Sequence, residues 1–358
     1  MNRYRGFLKK HVFLWGATVR KLKFIRICVV GLAAVLIATA LAGCGKPLQS
    51  YSSEFYAMDT VIMVTVNSND SQKAAEVLLA VEAEFNRIAN LTSRFGETMP
   101  DPLQSDIYRI NAGAGSPVEV SVEIIMLISH ALEMNELSGG AFDITLGGIS
   151  DLWNFKNPEL SRKPSDAELA EALKHVGADK IVCDAASSTV MVEKGTVLDF
   201  GAVAKGYATD CAAEIIRKSG IKSALVNAGG NVYVIGSRID KNAWLVGIRH
   251  PRDEENFCAL VNLTDCTIVT SGDDQRYFIH EGVRYHHILD PKTGFPSTSG
   301  CTSVSIIGQS SLYADMFSTA AFVLGMEEFS RLFPEVEYIA FDKEINISAS
   351  PGVMDKLR

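Results

Sequence analysis

An α+β fold, with mixed and largely antiparallel sheets and packed helices, is what this 358-residue sequence predicts. Three observations carry it. Strand-like alternations come in antiparallel-looking runs, and helical patterns are interspersed among them instead of alternating one for one. No internal repeat or low-complexity tract interrupts the chain. Beyond the N-terminal segment, roughly 310 residues remain, enough for one large or two moderate cores.

The elements follow in order. Thr60-Val61-Ile62-Met63-Val64-Thr65-Val66 alternates like a strand, and a helical pattern runs from Ser71 to about Leu91 with apolar positions three and four apart. A second helix spans about Ser121 to Ser138 and stops at Gly139-Gly140. Ser165-Asp166-Ala167-Glu168 has the form of a capping box opening a short helix to about His175. Strands are expected at 180–183, 189–193 and 197–199, then a helix from about Ala204 to Ser219. Further strands follow at 224–226, 232–236, 244–248, 259–263, 267–271, 276–279 and 302–307, with one strong helix from Ser311 to Leu324. Residues 45–53 read as a short polar tether. A soft boundary near 150–165, where Asn154-Phe155-Lys156-Asn157-Pro158 breaks the pattern, would divide the chain into two subdomains.

Residues 1–26 hold eight Lys or Arg and no acid, and an uncharged run from Ile27 to Ala40 follows. A basic region, a short apolar core and small residues before a break describe an export signal. The apolar run is short for a spanning helix of roughly 20 residues. Leu41-Ala42-Gly43-Cys44 resembles the bacterial lipoprotein box, which makes residues 1–43 a signal peptide, Cys44 the acylated first residue and 44–54 a lipidated tether. The expected location is the outer face of a bacterial membrane, held by the lipid anchor.

Removing the eight basic residues leaves 26 basic against 42 acidic residues, a net charge of −16. An acidic domain without a Lys/Arg cluster is a poor match to nucleic acid. After Cys44 the cysteines are Cys183, Cys211, Cys258, Cys266 and Cys301, odd in number and without a CxxC pair. Neither a zinc site nor a disulfide framework is indicated.

Several segments carry possible chemistry. Tyr285-His286-His287-Ile288-Leu289-Asp290-Pro291-Lys292-Thr293-Gly294 ends a strand-like run in two histidines and turns through Asp-Pro and Thr-Gly. Neighbouring strand side chains face opposite ways, so one imidazole at most faces a given cleft, where it would serve proton transfer. An ordinary loop with one satisfied and one solvated histidine fits the same residues. Leu198-Asp199-Phe200-Gly201-Ala202-Val203-Ala204-Lys205-Gly206 passes from strand to helix through small residues, which lets backbone approach a ligand and places Lys205 near any phosphate. A glycine-containing turn with a solvated lysine is the plain alternative. Asp315 and Thr319 lie four apart on one helix face, an all-oxygen pair suited to Mg²⁺. Equally, Thr319 would satisfy that pattern by bonding back to its own helix.

In order and spacing, these segments resemble the ApbE family of FAD:protein FMN transferases. The match includes Met58-Asp59-Thr60, Ser93-Arg94-Phe95, Ser105-Asp106-Ile107 and Gly140-Ala141-Phe142-Asp143. It continues through Asp199–Gly206, Asn227-Ala228-Gly229-Gly230, Thr270-Ser271-Gly272-Asp273, His287-Ile288-Leu289-Asp290-Pro291 and Ala314-Asp315 with Ser318-Thr319. The resemblance covers about Phe55 to Phe341 and implies an ApbE-like domain over residues 55–345. It implies splitting of FAD at its diphosphate, transfer of FMN to a Thr or Ser hydroxyl of a target flavoprotein, and release of AMP. By the same resemblance Mg²⁺ is held by the Ala202 carbonyl, Asp315 and Thr319. FAD, as substrate, is contacted by Met58, Phe95, Ala141, Phe142, Asp143, Asp199, Lys205 and Ile288. His287 occupies the family's histidine position and is the proton-transfer candidate; with Asp315 it makes the catalytic pair.

The sequence departs from the family pattern in places. Asp59 stands where Gly is common, Phe95 where an aromatic, often Tyr, is found, and Phe200 and Ala202 replace commoner residues. Asn231 stands where Asp is frequent and is given no role. Two rival readings share the motifs: an FAD pyrophosphatase using water, and a non-catalytic flavin-binding lipoprotein. Acceptors implied by the family and by export are outward-facing membrane flavoproteins, such as subunits of NADH:quinone reductases or Rnf-type complexes.

Overall fold

The computed structural model describes residues 47–96, 105–157 and 159–358. The expected signal peptide and the lipidation candidate Cys44 lie outside the described residues. The tether is shorter than the sequence suggested, because Gln49–Ala57 is strand β1, paired antiparallel along its whole length with β2 (Thr60–Ser68). Its Ser- and Gln-rich outer face belongs to an edge strand, and Tyr51, Ser53, Phe55 and Ala57 turn inward with period two. Phe55 meets Phe85 edge-on at 5.7 Å. Met58 and Asp59 close the hairpin at φ 53° and 60°, a type I′ loop whose twist suits the pair. Asp tolerates this left-handed region better than most residues, so the turn forms without the family's glycine.

The helices are α1 (Ser71–Thr92), α2 (Asp106–Ala112), α3 (Val122–Leu137), α4 (Gly147–Trp153), α5 (Asp166–Ala172), α6 (Ala204–Lys218), α7 (Ser311–Leu324) and α8 (Met326–Leu332). The strands after β2 are β3 (Val118–Glu119), β4 (Ile181–Asp184), β5 (Thr189–Val192), β6 (Ala224–Ala228), β7 (Asn231–Ile235), β8 (Trp244–His250) and β9 (Asp253–Leu263). They continue as β10 (Cys266–Gly272), β11 (Tyr277–His280), β12 (Val283–His286), β13 (Cys301–Gly308), β14 (Glu337–Asp342) and β15 (Ile347–Ala349). The main sheet has eight strands in the order β1-β2-β6-β7-β10-β13-β14-β15, every neighbour antiparallel. The strand expected at 197–199 reduces to one bridge, Val197 to Leu146, because Asp199 N–H donates to the Ile144 carbonyl at 2.8 Å.

One face of the sheet carries helices. Asp70 caps α1 by accepting from Gln72 and Lys73 N–H, and the buried stripe Ala74, Val77, Leu78, Val81, Phe85 and Ile88 covers Ile62, Val64 and Val66. Ala208, Ala212 and Ile216 of α6 extend that core, and α7 lies over Val269, Val304 and Ile306. The opposite face, Val232, Val234, Ile268, Ile307 and Ile339, is covered by the β8–β9 hairpin. Each such fully buried aliphatic side chain stabilises by about 1.5–3 kcal/mol relative to exposure.

A second lobe packs α2, α3 and the small sheet β3-β5-β4 around Ile124, Leu127, Phe142, Leu198 and Phe200, with Leu312 and Met316 of α7 joining it. β5 pairs with β3, so the chain on both sides of residues 150–165 belongs to this lobe. No boundary falls there; Gln49–Arg358 is one compact unit. Cys183, Cys211, Cys258, Cys266 and Cys301 are unpaired. Burial raises each thiol's pKa, that of Cys211 to about 11.

Trp153, at the end of α4, ties this lobe to the histidine segment. Its ring stacks on Phe155 at 5.7 Å and Tyr285 at 5.2 Å, meets Phe295 at 5.6 Å, and its Nε1–H donates to the Gly294 carbonyl at 2.7 Å. Trp153→Ala would leave a large cavity and a carbonyl without its donor. The expected cost is about 3–5 kcal/mol in chemical denaturation. A loss below about 1 kcal/mol would show that the cluster anchors nothing.

Candidate active site

The histidine segment sits between β12 and the Asp-Pro turn. Asp290 organises the turn: its carbonyl accepts from Gly294 N–H at 2.8 Å and its Oδ1 from Lys292 N–H at 2.9 Å, while Gly294 takes φ 72°. His286 is buried against Phe322, faces the Ser297 carbonyl through Nε2 at 3.2 Å and accepts Ile288 N–H at Nδ1. It is a satisfied core histidine. His287 points the other way. Its N–H donates to the Arg276 carbonyl at 3.1 Å, and its Nδ1 lies 3.3 Å from that oxygen. A carbonyl only accepts, so these contacts assign the proton to Nδ1 and leave Nε2 with its lone pair.

Burial pushes the His287 pKa down to about 3, helped by the positive charges of Arg276, His286 and Lys205. The ring is therefore neutral at pH 7. Its folded pKa lies below the ordinary 6.5, so the unfolded chain gains a proton that the folded one refuses. Stability from this residue is present above pH 6.5 and is lost as pH falls towards 3. By pH 5 the loss is on the order of 1 kcal/mol after screening at its partly exposed ring. Urea unfolding at pH 7 and pH 5 should show a smaller decline in His287→Asn than in the parent, and equal declines would refute the assignment.

Arg276 leads into a cationic cavity of about 390 Å³, lined by Tyr56, Asp59, Phe155, Lys156, Gln275, Arg276 and Tyr277. Asp59 lies 2.7 Å from Lys156 and 3.6 Å from Arg276. Burial works to raise its pKa, yet Lys156, Arg276 and Lys205 hold the carboxyl below its usual range. Lys156 also sits 3.9 Å above the Phe95 ring, and the Arg94 guanidinium lies 4.2 Å from the same ring. Arg94 in turn donates to Asp199 through Nε at 2.7 Å and grips Asp151 with both terminal nitrogens. Asp199 is thus fixed beside Phe95, and its Oδ1 accepts Gly201 N–H at 2.7 Å.

The oxygen set lies where α6 meets α7. Gly206 permits the crossing, since a Cβ there would stand 2.4 Å from the Ser311 carbonyl. Asp315, almost fully buried, accepts at Oδ2 from Gly206 N–H and from Asn231 Nδ2, each at 3.0 Å. Gly206 N–H is the group that would close a helical bond to Ala202, so its diversion leaves that carbonyl without a helical partner. Thr319 has no hydrogen-bond partner for its hydroxyl among the described residues, so it does not bond back to its own helix. Lys205 stands 4.0 Å from Asp315 and donates to the Gly201 carbonyl at 2.9 Å. Among the described residues no group of three or more His, Cys, Asp or Glu is arranged for a metal. A carboxylate, a free hydroxyl and a free carbonyl together have the hard-oxygen chemistry that Mg²⁺ takes.

Not every expected contact converges. Met58 packs against both large cores from its turn. Ala141 and Phe142 are buried, Phe142 within the second lobe's core, where its carbonyl accepts from Asn135 and its N–H donates to Ser138. Asp143 is tied to Thr145 and Asn135, and burial outweighs those bonds and raises its pKa. Ile288 is a core residue under α7. The segment 141–144 runs beside Asp199 through the Ile144 carbonyl. Arg94, Asp151, Lys156, Arg276 and Asn231 were given no role by the sequence. Arg94 and Asn231 carried a signal, Arg94 inside the matching segment Ser93-Arg94-Phe95 and Asn231 directly after Asn227-Ala228-Gly229-Gly230.

A family model described as the ApbE family matches residues 58–340. An FAD:protein FMN transferase of Treponema pallidum is 35% identical over 345 residues, covering 90% of this chain and 94% of that protein. One from Haemophilus influenzae is 28% identical over 313 residues, covering 84% and 88%. Among solved structures, the ApbE protein of Thermotoga maritima matches with a TM-score of 0.79 at 35% identity, covering 87% of this chain and 100% of that one. The apo form of Pseudomonas stutzeri flavinyl transferase ApbE matches with a TM-score of 0.75 at 27% identity, covering 86% and 97%.

Proposed function

The chain belongs to the ApbE family, and on that premise we propose that it transfers FMN from FAD to a Thr or Ser hydroxyl of a target flavoprotein, releasing AMP. What supports this reading is Lys205, which lies 4.0 Å from Asp315 and whose positive charge acts both on His287 and on Asp59 in the lining of the cationic cavity.

In the reaction His287 Nε2 accepts the proton of the acceptor hydroxyl. That oxygen attacks the FMN-side phosphorus, the phosphoanhydride bond breaks, and AMP departs with the bond's electron pair. Arg276 holds the imidazole through Nδ1, which keeps Nε2 directed at the hydroxyl. Ala202, Asp315 and Thr319 would hold Mg²⁺, which supplies charge neutralisation at the diphosphate. Lys205 adds a positive charge on the same side. Phe95, flanked by Arg94 and Lys156, together with Met58, Ala141, Phe142, Asp143, Asp199 and Ile288, makes up the FAD contacts the family implies.

Export and lipidation at Cys44 belong to the same proposal, supported by the basic and apolar N-terminal pattern, with outward-facing membrane flavoproteins as acceptors. Incorporation of labelled palmitate that persists in Cys44→Ser would refute the anchor. The activity is tested by incubating the chain with FAD and Mg²⁺, with and without an acceptor domain. Covalent flavin fluorescence on the acceptor supports transfer. AMP released equally without acceptor makes the chain an FAD pyrophosphatase, and neither product makes it a flavin-binding protein.

A further inference from the structure

The two donors to Asp315 reach the same oxygen. Gly206 N–H and Asn231 Nδ2 both address Oδ2, which leaves Oδ1 unclaimed by either. Asn231 is 1% exposed and opens β7 directly after the Gly229–Gly230 turn, whose φ values are 59° and 105°. Its backbone pairs with Ala228 on one side and Val269 on the other. The turn packs closely on the first hairpin, since a Cβ on Gly229 would fall 2.3 Å from Thr60 Oγ1. The amide therefore reaches Asp315 from a rigid position. It is also neutral. With Lys205 4.0 Å away, the Asp315 carboxylate is already partly balanced. A carboxylate in place of Asn231 would double the negative charge there.

We propose that Asn231 is a positioning residue that reserves Asp315 Oδ1 for a divalent cation and, by its neutrality, makes tight cation binding conditional on the FAD diphosphate. This rests on the reading of Ala202, Asp315 and Thr319 as the cation's protein ligands. One carboxylate with two neutral oxygens suits Mg²⁺ that arrives with, or is completed by, phosphate oxygens. Two carboxylates would hold it alone. By linkage, whatever tightening FAD confers on Mg²⁺, Mg²⁺ confers equally on FAD.

The test uses a His287→Ala background, in which FAD is bound without turnover, and calorimetric titration of Mg²⁺ with and without saturating FAD. The parent should bind Mg²⁺ at least about ten-fold more tightly with FAD present. Asn231→Asp should bind Mg²⁺ alone at least about ten-fold more tightly than the parent and lose most of the FAD dependence. Asn231→Ala should weaken Mg²⁺ binding in the presence of FAD by about ten-fold while leaving metal-free FAD affinity unchanged, which a merely structural role would not do. Should Asn231→Asp fail to fold by circular dichroism, the alanine variant alone decides. Equal Mg²⁺ affinity in the parent with and without FAD, or unchanged affinity in the Asn231 variants, overturns the proposal. Asp315→Asn separates the two levels. If it leaves Mg²⁺ binding intact the ligand set itself is wrong, and if it abolishes binding while the Asn231 variants change nothing, only the present inference fails.

Discussion

His287→Ala is expected to abolish FMN transfer while FAD binding stays within about three-fold of the parent. General-base catalysis contributes roughly 10²–10⁴ in rate, and the neighbouring imidazole is not free to replace it. His286, the adjacent candidate, is committed to the Ser297 carbonyl and Ile288 N–H in the core. The backbone N–H of residue 287 keeps its bond to Arg276 whatever the side chain, so the turn should survive. Stopped-flow flavin fluorescence reads binding, and covalent flavin on the acceptor reads transfer. Transfer at parental rates would remove His287 from the chemistry.

Asp315→Asn should be as severe, by a different route. Both donors to Oδ2 are buried and need an acceptor. If the new amide turns its oxygen to Gly206 and Asn231, its NH₂ group occupies the place of Oδ1 and repels a cation. If it turns the other way, three donors meet. Either arrangement also removes the one formal charge of the set. A loss of at least about 10³-fold is expected, unrelieved by raising Mg²⁺, with Mg²⁺ no longer protecting the FAD-bound chain against thermal unfolding. Full activity restored at millimolar Mg²⁺ would show that Asp315 is not a ligand.

How much of this was legible depended on range. Helix α1 announced itself through apolar spacing over many turns, and Ser165 with Glu168 formed the expected capping box. α4 gave no such signal: it begins at Gly147-Gly148, has no side-chain cap and spans two turns. β1 was hidden by its polar outer face, since an edge strand and a tether share a composition. In the site, Asp315 and Thr319 were readable because a helix places four-apart residues together. Lys156, Asp59 and Arg276 were not, because their meeting is created only when α4's end, the first hairpin and the strand after β10 converge. Asn231 shows the same limit more sharply. Its departure from the family pattern was visible, but its partner, 84 residues away, was not.

The unpaired cysteines have a chemical consequence. Among the described residues burial raises every thiol pKa, that of Cys211 to about 11, so the thiolate fraction at neutral pH is below that of a free cysteine. Oxidants and mixed disulfides attack through the thiolate, so the folded chain resists both while an unfolded one does not. Folding itself then acts as the antioxidant defence. Wherever reductants are scarce, each excursion to the unfolded state becomes the moment at which wrong disulfides can form.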